Sequence, residues 1–155
     1  MDLFDKENAE ITQTIDAFFD GALTYLNTTE AKEYSLVYDQ VVSVGELVST
    51  TIISHYMQHQ GMENQWLDAR ECIKTDAYFR DANLHLTETE VAIQDAVAGK
   101  STLISQGFIG SAPNGLTTTL GREGSDYSAA IFANSSLSRL FDVGHGRRNR
   151  TVATD

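Results

Sequence analysis

The sequence predicts a mixed α/β fold in which helices and short strands form layers. Amphipathic helical segments alternate with short runs of β-branched and aromatic residues, a pattern typical of layered α/β domains. Glycine-rich turns follow two of these runs, at Gly107–Gly110 and Gly121–Gly124, and ligands of such folds gather beyond the carboxyl ends of the strands. With 155 residues, 41% of them hydrophobic, the chain is long enough for one domain with a buried core.

The N-terminal third predicts a helix followed by a connection. Apolar residues recur at helical spacing over Ala9–Leu26, with acidic residues on the opposite side, which indicates an amphipathic helix. We expect Gly21 to interrupt this helix, because glycine is a poor helix former. The polar stretch NTTEAKEYS that follows predicts a connection, with a short helix over Glu30–Tyr34.

A second helix is predicted over Val44–Gln60, where the apolar residues form one stripe. Ser43 is a suitable N-cap and Gly61 a suitable stop. Glu46 lies three residues after Ser43, so the sequence SVGE predicts a capping box. The same carboxylate is also a candidate ligand for the ammonium group of a substrate. Periodicity does not distinguish these two roles.

The middle of the chain predicts a strand, a helix and a second strand. NQWLDAR is a short strand that ends at Asp68 and Arg70, TETEVAIQDAVAGK suits a helix, and STLISQGFIGS has the β-branched and aromatic composition of a strand. Pro113, Asn114 and Gly115 form a turn signal. We therefore expect GFIGS and LTTTL to form either the two arms of a hairpin or an excursion between core elements.

The turn GREGSD, residues 121–126, precedes a small, apolar run that favours a helix. Free backbone N–H groups and the positive end of the helix dipole meet at such a turn, so it predicts an anion site. Arg122 would add a guanidinium that can clamp a carboxylate or a phosphate. The structural alternative is a capped helix in which Ser125 or Asp126 is the N-cap.

Composition argues against several classes of partner. The formal charge of -11, from 22 acidic and 11 basic residues, would repel nucleic acid and anionic membrane surfaces, and no run of about 18 apolar residues predicts a membrane span. Cys72 is the single cysteine and is expected to be a small core residue. His55 and His59 share a helical face without a third ligand, so no metal site is predicted. No charged leader with an apolar run opens the sequence, so we expect a cytoplasmic protein.

Four segments together resemble the aspartokinases of the amino-acid kinase family. They are VVSVGELVSTTIISHYMQHQG, LDARECIKTDAYFRDA, LISQGFIGS and TTTLGREGSDYSAAIFA, and they run in the family's order from about Gln40 to Ala133. The resemblance implies a three-layer αβα sandwich of the amino-acid kinase, carbamate kinase-like type. It also implies transfer of the γ-phosphoryl group of ATP, with Mg²⁺, to the side-chain carboxylate of L-aspartate. The product, 4-phospho-L-aspartate, leads to lysine, threonine and methionine.

The resemblance also assigns roles to individual residues. Glu46 matches the glutamate that contacts the substrate ammonium group, and Arg122 matches the arginine that pairs with the α-carboxylate. Phe108 matches an aromatic residue of the pocket, and Ser125 a serine near the substrate. Asp126 matches the aspartate that orients a catalytic lysine. Arg122 and Asp126 are therefore the expected catalytic residues. No residue is assigned to the nucleotide.

The resemblance covers the amino-acid half of the family's site. We expect residues 1–133 to form a partial catalytic domain and residues 134–155 to be a divergent, frayed tail. No KFGGTS-like lysine loop precedes Met1, and no TDVDG...ADPR-like stretch follows Ala133, so the isolated chain is expected to be an inactive kinase fragment. The alternative is a catalytically dead aspartate-binding or oligomerisation module. A homo-oligomer, such as a homodimer, suits both.

Overall fold

A computed structural model of the chain describes residues 9–28 and 33–145. In chain order the elements are α1 (Ala9–Thr28), α2 (Tyr34–His59), β1 (Gln65–Leu67), α3 (Ala69–Cys72), α4 (Leu86–Val97), β2 (Leu103–Ser105), β3 (Ile109–Ser111), β4 (Thr117–Thr119) and α5 (Gly124–His145). Helices and strands are mixed along the chain, as the sequence predicts.

The strands form two short sheets. β1 and β2 are parallel, with Gln65 opposite Leu103, and α4 lies in the connection between them. β3 and β4 are antiparallel, with Ile109 opposite Thr119, and the turn between them includes Gly115 at a φ of 79°. The predicted strand–helix–strand order and the hairpin are both confirmed. The single strand predicted over STLISQGFIGS is wrong, because residues 106–108 separate it into β2 and β3, which belong to different sheets.

Helices cover the strand layer on two sides, which gives a three-layer αβα arrangement. One core packs α4 and α5 against the strands; its buried residues are Leu67, Cys72, Ile73, Ile93, Leu120 and Ile131. The other packs α1 and α2 through Leu47, Ala69 and Ile109, with Phe18, Trp66 and Phe108 beside them. Trp66 and Leu67 are neighbours on β1 and belong to different cores, as the two-residue period of a strand requires. The predicted α/β class is confirmed.

Cys72 is buried in the first of these cores, at 2% exposure. Burial, with a smaller contribution from the charge of Glu71, raises the pKa of the Cys72 thiol to about 11. The thiol is therefore protonated near neutral pH and is a poor nucleophile. The prediction that Cys72 is a small core residue is confirmed.

The predicted interruption of the first helix is wrong. α1 runs through Gly21 without a break, from Ala9 to Thr28. A glycine inside a helix costs only about 1 kcal/mol relative to alanine, and α1 packs along α2, which compensates for that cost. The short helix expected over Glu30–Tyr34 falls largely outside the described residues. Tyr34 itself is the first residue of α2.

The predicted start of the second helix, and with it the capping box, is wrong. α2 begins at Tyr34, ten residues before Val44, so Ser43 lies inside the helix. The Ser43 hydroxyl is buried and donates to the carbonyl of Gln40 at 3.2 Å. Because Ser43 is not at a helix end, Glu46 has no N-cap N–H to reach. The capping-box explanation of Glu46 is thereby removed.

The start of α5 also differs from the prediction. Ser125 and Asp126 lie within the first turn of the helix, which begins at Gly124, so neither is its N-cap. The helix continues past Ala133 to His145, so the expected boundary after residue 133 falls inside a helix. The division into a domain and a tail stays a prediction, and residues 146–155 of the expected tail lie outside the described residues.

The first two turns of α2 are held to the hairpin by buried side chains. Asp39 is fully buried, and its carboxylate accepts hydrogen bonds from Thr119 N at 2.9 Å, Thr119 Oγ1 at 2.8 Å and Arg80 N at 2.8 Å. The Gln40 amide pairs with both backbone groups of Thr117, at 2.7 and 3.1 Å. These contacts explain why the helix extends upstream of its apolar stripe.

Among the described helices, α2 is long and apolar enough to span a membrane, judged by length and composition alone. Helices in the cores of folded domains meet the same criterion. In this structure α2 carries the buried Asp39 and contacts α1, β1, β2 and β4.

Replacing Asp39 with alanine tests how much this carboxylate holds α2 in place. Asp39→Ala leaves the N–H groups of Thr119 and Arg80 without their acceptor, and each unsatisfied buried group costs about 1–3 kcal/mol. We expect the free energy of unfolding, measured by urea titration, to fall by about 3 kcal/mol. Asp39→Asn keeps an oxygen for both N–H groups and should lose clearly less. Equal losses for the two variants would contradict this assignment.

Candidate functional site

Glu46 projects from the middle of α2 toward the turn between β2 and β3. Its Oε1 accepts a hydrogen bond from the Gly107 N–H at 3.2 Å, and the residue is half-buried. Among the described residues, none donates to Oε2, so this oxygen is available to a ligand. The carboxylate is thus oriented by a backbone group and keeps one free acceptor.

The Gly107–Phe108 turn touches the first turn of α5. A Cβ built on Gly107 would lie 2.8 Å from the Ser125 hydroxyl oxygen, so only glycine permits this approach. The Phe108 N–H donates to the Ser128 hydroxyl at 2.9 Å, and the Phe108 carbonyl accepts from Leu120 N at 2.9 Å. Glu46, Phe108 and Ser125, which are distant in sequence, therefore meet around one backbone turn.

The turn that precedes α5 is also tightly constrained. Gly121 has a φ of 73°, and its Cα faces the carboxylate of Asp81. A Cβ on Gly124 would come within 2.7 Å of the Phe108 Cβ. Phe108 and Glu123 themselves adopt left-handed backbones, at φ of 49° and 60°. Such strain in residues other than glycine is concentrated at functional sites.

A buried hydrogen-bond network supports the Gly107 turn from below. The Thr50 hydroxyl accepts from Trp66 Nε1 at 3.0 Å and from Gln106 Nε2 at 2.8 Å, and it donates to the Glu46 carbonyl at 2.9 Å. Gln106 Oε1 in turn accepts from Ala69 N at 2.7 Å. Thr50 and Gln106 are buried at 7% and 2% exposure. The network fixes α2, β1, α3 and the residue before Gly107 to one another.

Sequence reasoning did not identify this network. The available signal was Gln106, a polar residue inside the otherwise strand-like run LISQGF. A buried amide must find partners, and such a residue indicates a fixed local structure. Thr50 gave no signal, because threonine is common on both exposed and buried helix faces.

Arg122 and Asp126 are exposed on the turn and on the first turn of α5. Arg122 lines a cavity of about 570 Å³; the other lining residues are Glu33, Ser35, Ala77, Tyr78, Phe79, Arg80, Asp81 and Gly121. Within the described part of the chain, the Arg122 guanidinium forms no ion pair. It is therefore a free cation at the wall of a cavity large enough for an amino acid.

The predicted site residues thus fall into two positions. Glu46, Phe108 and Ser125 surround Gly107, and Asp126 follows Ser125 on α5. Arg122 lines the cavity formed with residues 77–81. Glu46 does not line that cavity, so the structure does not bring Glu46 and Arg122 together in it. The roles assigned to these residues by resemblance stay predictions.

The strand end after β1 carries an internal ion pair. Arg70 binds Asp68 through two guanidinium nitrogens, the shorter contact being 2.6 Å from Nη2 to Oδ2. Asp68 also accepts from Arg70 N and is the N-cap of α3. The side chains of Asp68 and Arg70 therefore stabilise the local structure that follows β1.

The described residues include His, Cys, Asp and Glu side chains, which are the usual protein ligands of metal ions. Within them, no group of three or more His, Cys, Asp and Glu side chains is arranged to hold a metal ion. His55 is half-buried and His59 exposed, both on α2.

The architecture and these residues define the class of protein: an α/β domain with a constrained glycine turn at a helix N-terminus. The sequence matches the model of the amino acid kinase family over residues 4–136. The chain therefore belongs to the amino acid kinase family.

Similarity to individual proteins narrows the match to aspartokinases. The chain is 36% identical over 108 residues to lysine-sensitive aspartokinase 3 of Escherichia coli, covering 68% of this chain and 24% of that protein. It is 32% identical over 137 residues to an aspartokinase of Chlamydia pneumoniae, covering 88% of this chain and 30% of that protein. The chain thus spans less than a third of the length of these relatives and matches a partial aspartokinase domain.

Solved structures show the same likeness. The structure of Escherichia coli aspartokinase III in complex with lysine and aspartate superposes with a TM-score of 0.74 at 28% identity, over 84% of this chain and 30% of that chain. The structure of the same enzyme with aspartate and ADP also gives a TM-score of 0.74, at 29% identity, over 83% of this chain and 29% of that chain. The predicted amino-acid kinase fold is confirmed.

Replacing Thr50 with valine tests the network below the Gly107 turn. Thr50→Val keeps the shape of the side chain but leaves Trp66 Nε1 and Gln106 Nε2 without their shared acceptor, so we expect a loss of about 2 kcal/mol in the free energy of unfolding. The fluorescence of Trp66, the single tryptophan, reports unfolding in urea. Thr50→Ser, which keeps the hydroxyl, should lose only about 0.8 kcal/mol for its missing methyl group. A valine variant as stable as the serine variant would refute the assignment.

Proposed function

We propose that this chain provides the amino-acid half of an aspartate kinase site, which transfers the γ-phosphoryl group of ATP to the side-chain carboxylate of L-aspartate. The observation that carries the proposal is the position of Glu46. Its carboxylate lies on a helix interior, bonded to Gly107 N at 3.2 Å, beside the Phe108 and Ser125 positions. A cap would require a helix end, and the hydrogen bond from Gly107 uses Oε1 alone, so Oε2 can accept from a ligand.

The proposed binding mode uses opposite charges for the two ends of the substrate. Glu46 would accept from the ammonium group, and the free guanidinium of Arg122 would pair with the α-carboxylate. Ser125 and the N–H groups of Ser125 and Asp126 would face the same substrate, because the neighbouring N–H groups of Gly124 and Tyr127 already donate to the carbonyls of Gly121 and Glu123. Held at both ends, the substrate keeps its side-chain carboxylate free to act as the nucleophile.

The chemistry needs mainly positioning and charge neutralisation. A carboxylate oxygen forms a bond to the γ-phosphorus while the bond from that phosphorus to ADP breaks, and little covalent assistance is required. Asp126 would orient a cationic group near the transferred phosphoryl, as the family resemblance implies. The relatives whose structures contain aspartate, or aspartate with ADP, support this substrate pair.

ATP and Mg²⁺ are proposed as co-substrate and cofactor. The residues that fit an anionic group are Arg122 and the N-terminus of α5, where helix dipole and free N–H groups favour negative charge. Mg²⁺ prefers carboxylates and phosphate oxygens in an octahedral arrangement, and we assign it no residue of this chain. A cytoplasmic location is also proposed, because the single Cys72 cannot form an internal disulfide.

A homo-oligomer is also proposed. Large apolar residues are exposed along α1, at Phe19, Leu23 and Leu26, and along α2, at Val41 and Ile53. Exposed apolar surface of this kind is typical of association surfaces.

The alternative function is an aspartate-binding or oligomerisation module without catalysis. It is favoured by the fact that the site residues identified here belong to the amino-acid half of the family's site. The two functions differ in one respect, which is turnover.

Binding and turnover can be measured on the same preparation. Calorimetry with L-aspartate gives the affinity, and hydroxamate formation with ATP, aspartate and Mg²⁺ gives the activity. We expect the parent chain to bind L-aspartate. Arg122→Ala should weaken this affinity at least tenfold, because loss of a hydrogen bond to a charged group costs about 1.5–3 kcal/mol. Hydroxamate formation would exclude the module, whereas binding without hydroxamate is the result that an inactive kinase fragment and a module share. An Arg122→Ala variant with unchanged affinity and a normal melting temperature would exclude Arg122 from the site.

Glu46→Gln tests recognition of the ammonium group. The glutamine oxygen can still accept from Gly107 N, so the turn keeps its support while the negative charge is lost. We expect the affinity for L-aspartate to fall about tenfold, with an unchanged melting temperature. Succinate lacks the ammonium group and is the matched ligand, so its affinity should change little. A parallel loss for both ligands would show that Glu46 acts on the fold and not on the ammonium group.

A further inference from the structure

Arg80 has a backbone conformation that its side chain disfavours. Its φ is 72°, in the left-handed region where glycine is the usual residue. The Arg80 N–H donates to Oδ2 of the fully buried Asp39 at 2.8 Å. The conformation is therefore imposed by a contact from the core, and an arginine at this position calls for a reason beyond backbone geometry.

The guanidinium of Arg80 is held over two aromatic rings. Its Cζ lies 5.4 Å from the centroid of Tyr34 and 5.0 Å from the centroid of Tyr38, both on the first turns of α2. Cations at this distance are attracted to the ring faces, and a planar guanidinium on an aromatic face keeps its N–H edge for other partners. In the described part of the chain, no carboxylate forms an ion pair with Arg80.

Arg80 and Arg122 line the same cavity of about 570 Å³. Both arginines are exposed and neither has an ion-pair partner among the described residues, so both guanidiniums can offer N–H groups to an anion in this cavity. The cavity wall also carries the exposed carboxylates of Glu33 and Asp81, and water and salt weaken their repulsion of an anion as they weaken the attraction of the two exposed arginines. One of them, Asp81, is turned against Gly121.

Strain connects Arg80 to the site already described. Within the described residues, left-handed backbones outside glycine occur at Arg80, Phe108 and Glu123. Phe108 and Glu123 belong to the two turns that surround the predicted site. Asp81, the neighbour of Arg80, contacts the second of these turns at Gly121. Strained residues that cluster in this way are characteristic of binding sites.

We infer that Arg80 is a further ligand-binding residue, which supplies a second guanidinium beside Arg122 for an oxyanion. The oxyanion is a carboxylate of the amino-acid substrate or a phosphate of the phosphoryl donor, groups that a guanidinium binds through the same paired N–H contacts. This inference rests on the proposed function for the identity of the two ligands. The existence of the anion site depends only on the cavity and its two arginines.

Arg80→Gly is the most informative variant, because glycine suits the left-handed backbone while the whole side chain, with its guanidinium and its contacts to Tyr34 and Tyr38, is removed. The full 155-residue chain would be titrated by calorimetry with L-aspartate and, separately, with inorganic phosphate. Lys100→Ala is the charge-matched control, since Lys100 is an exposed cation in the loop between α4 and β2. We expect Arg80→Gly to weaken one of the two ligands about tenfold, with a melting temperature at or above that of the parent chain. Lys100→Ala should change both affinities less than twofold.

The ligand that loses affinity identifies the source of the oxyanion. A loss for L-aspartate alone assigns Arg80 to a substrate carboxylate, and a loss for phosphate alone assigns it to the phosphoryl donor. Unchanged affinities for both ligands, with a lower melting temperature, would mean that Arg80 only fastens α2 through the tyrosines, and the inference would be overturned. An equal loss in Lys100→Ala would overturn it as well, because net charge would then explain the effect.

The inference and the proposed function fail in different ways. In one outcome, the parent chain binds phosphate but not L-aspartate, and Arg80→Gly abolishes the phosphate binding. The anion site is then supported and the aspartate function is refuted. In another outcome, L-aspartate binds equally to the parent chain and to Arg80→Gly but more weakly to Arg122→Ala, and Arg80→Gly leaves the phosphate affinity unchanged. The proposed function is then supported and the inference is refuted. Absence of binding by both ligands overturns both. Arg80→Asn, which also tolerates a left-handed backbone, replaces Arg80→Gly should the latter fail to fold.

Discussion

The structure depends on the buried polar face of α2. Its members recur at helical spacing and are Asp39, Ser43, Glu46, Thr50 and Ser54, of which all but Glu46 are almost fully buried. Buried polar groups must be hydrogen-bonded, or each costs about 1–3 kcal/mol. The partners come from successive parts of the chain: Asp39 binds the hairpin, Glu46 binds Gly107, and Thr50 binds Gln106. One helix face thereby fixes where the hairpin and both glycine turns lie.

This constraint explains which parts of the fold the sequence reveals. β1, α4, β2 and the hairpin are predictable because their signals are local: alternation, helical periodicity and a turn at residues 113–115. The start of α2 is not, because the apolar stripe from Val44 suggests a later beginning. The residues that extend the helix act through partners far along the chain, and Asp39 bonds Thr119, 80 positions away. Apolar periodicity contains no information about such a pairing.

The candidate site, like the fold, has residues that the sequence reveals and residues that it does not. Motif resemblance identifies Glu46, Phe108 and Ser125, and the structure brings them together around Gly107. The role of Glu46 was ambiguous in the sequence because a capping box and a ligand need the same residue, and only the position of the helix start separates them. The supporting Thr50 and Gln106 were missed, because their importance lies in one shared hydroxyl and not in any sequence spacing.

The two charged groups of the site differ in how firmly they are held. Glu46 lies on a helix interior and is oriented by Gly107 N, whereas Arg122 is exposed on a turn without an ion-pair partner among the described residues. Ordering a long, free side chain on binding costs about 0.5–1.5 kcal/mol, a cost that a pre-oriented carboxylate largely avoids. The proposed substrate would therefore be oriented first by its ammonium end. Closure of the guanidinium on the carboxylate would follow, so that selection for an amino acid is made by the rigid part of the fold.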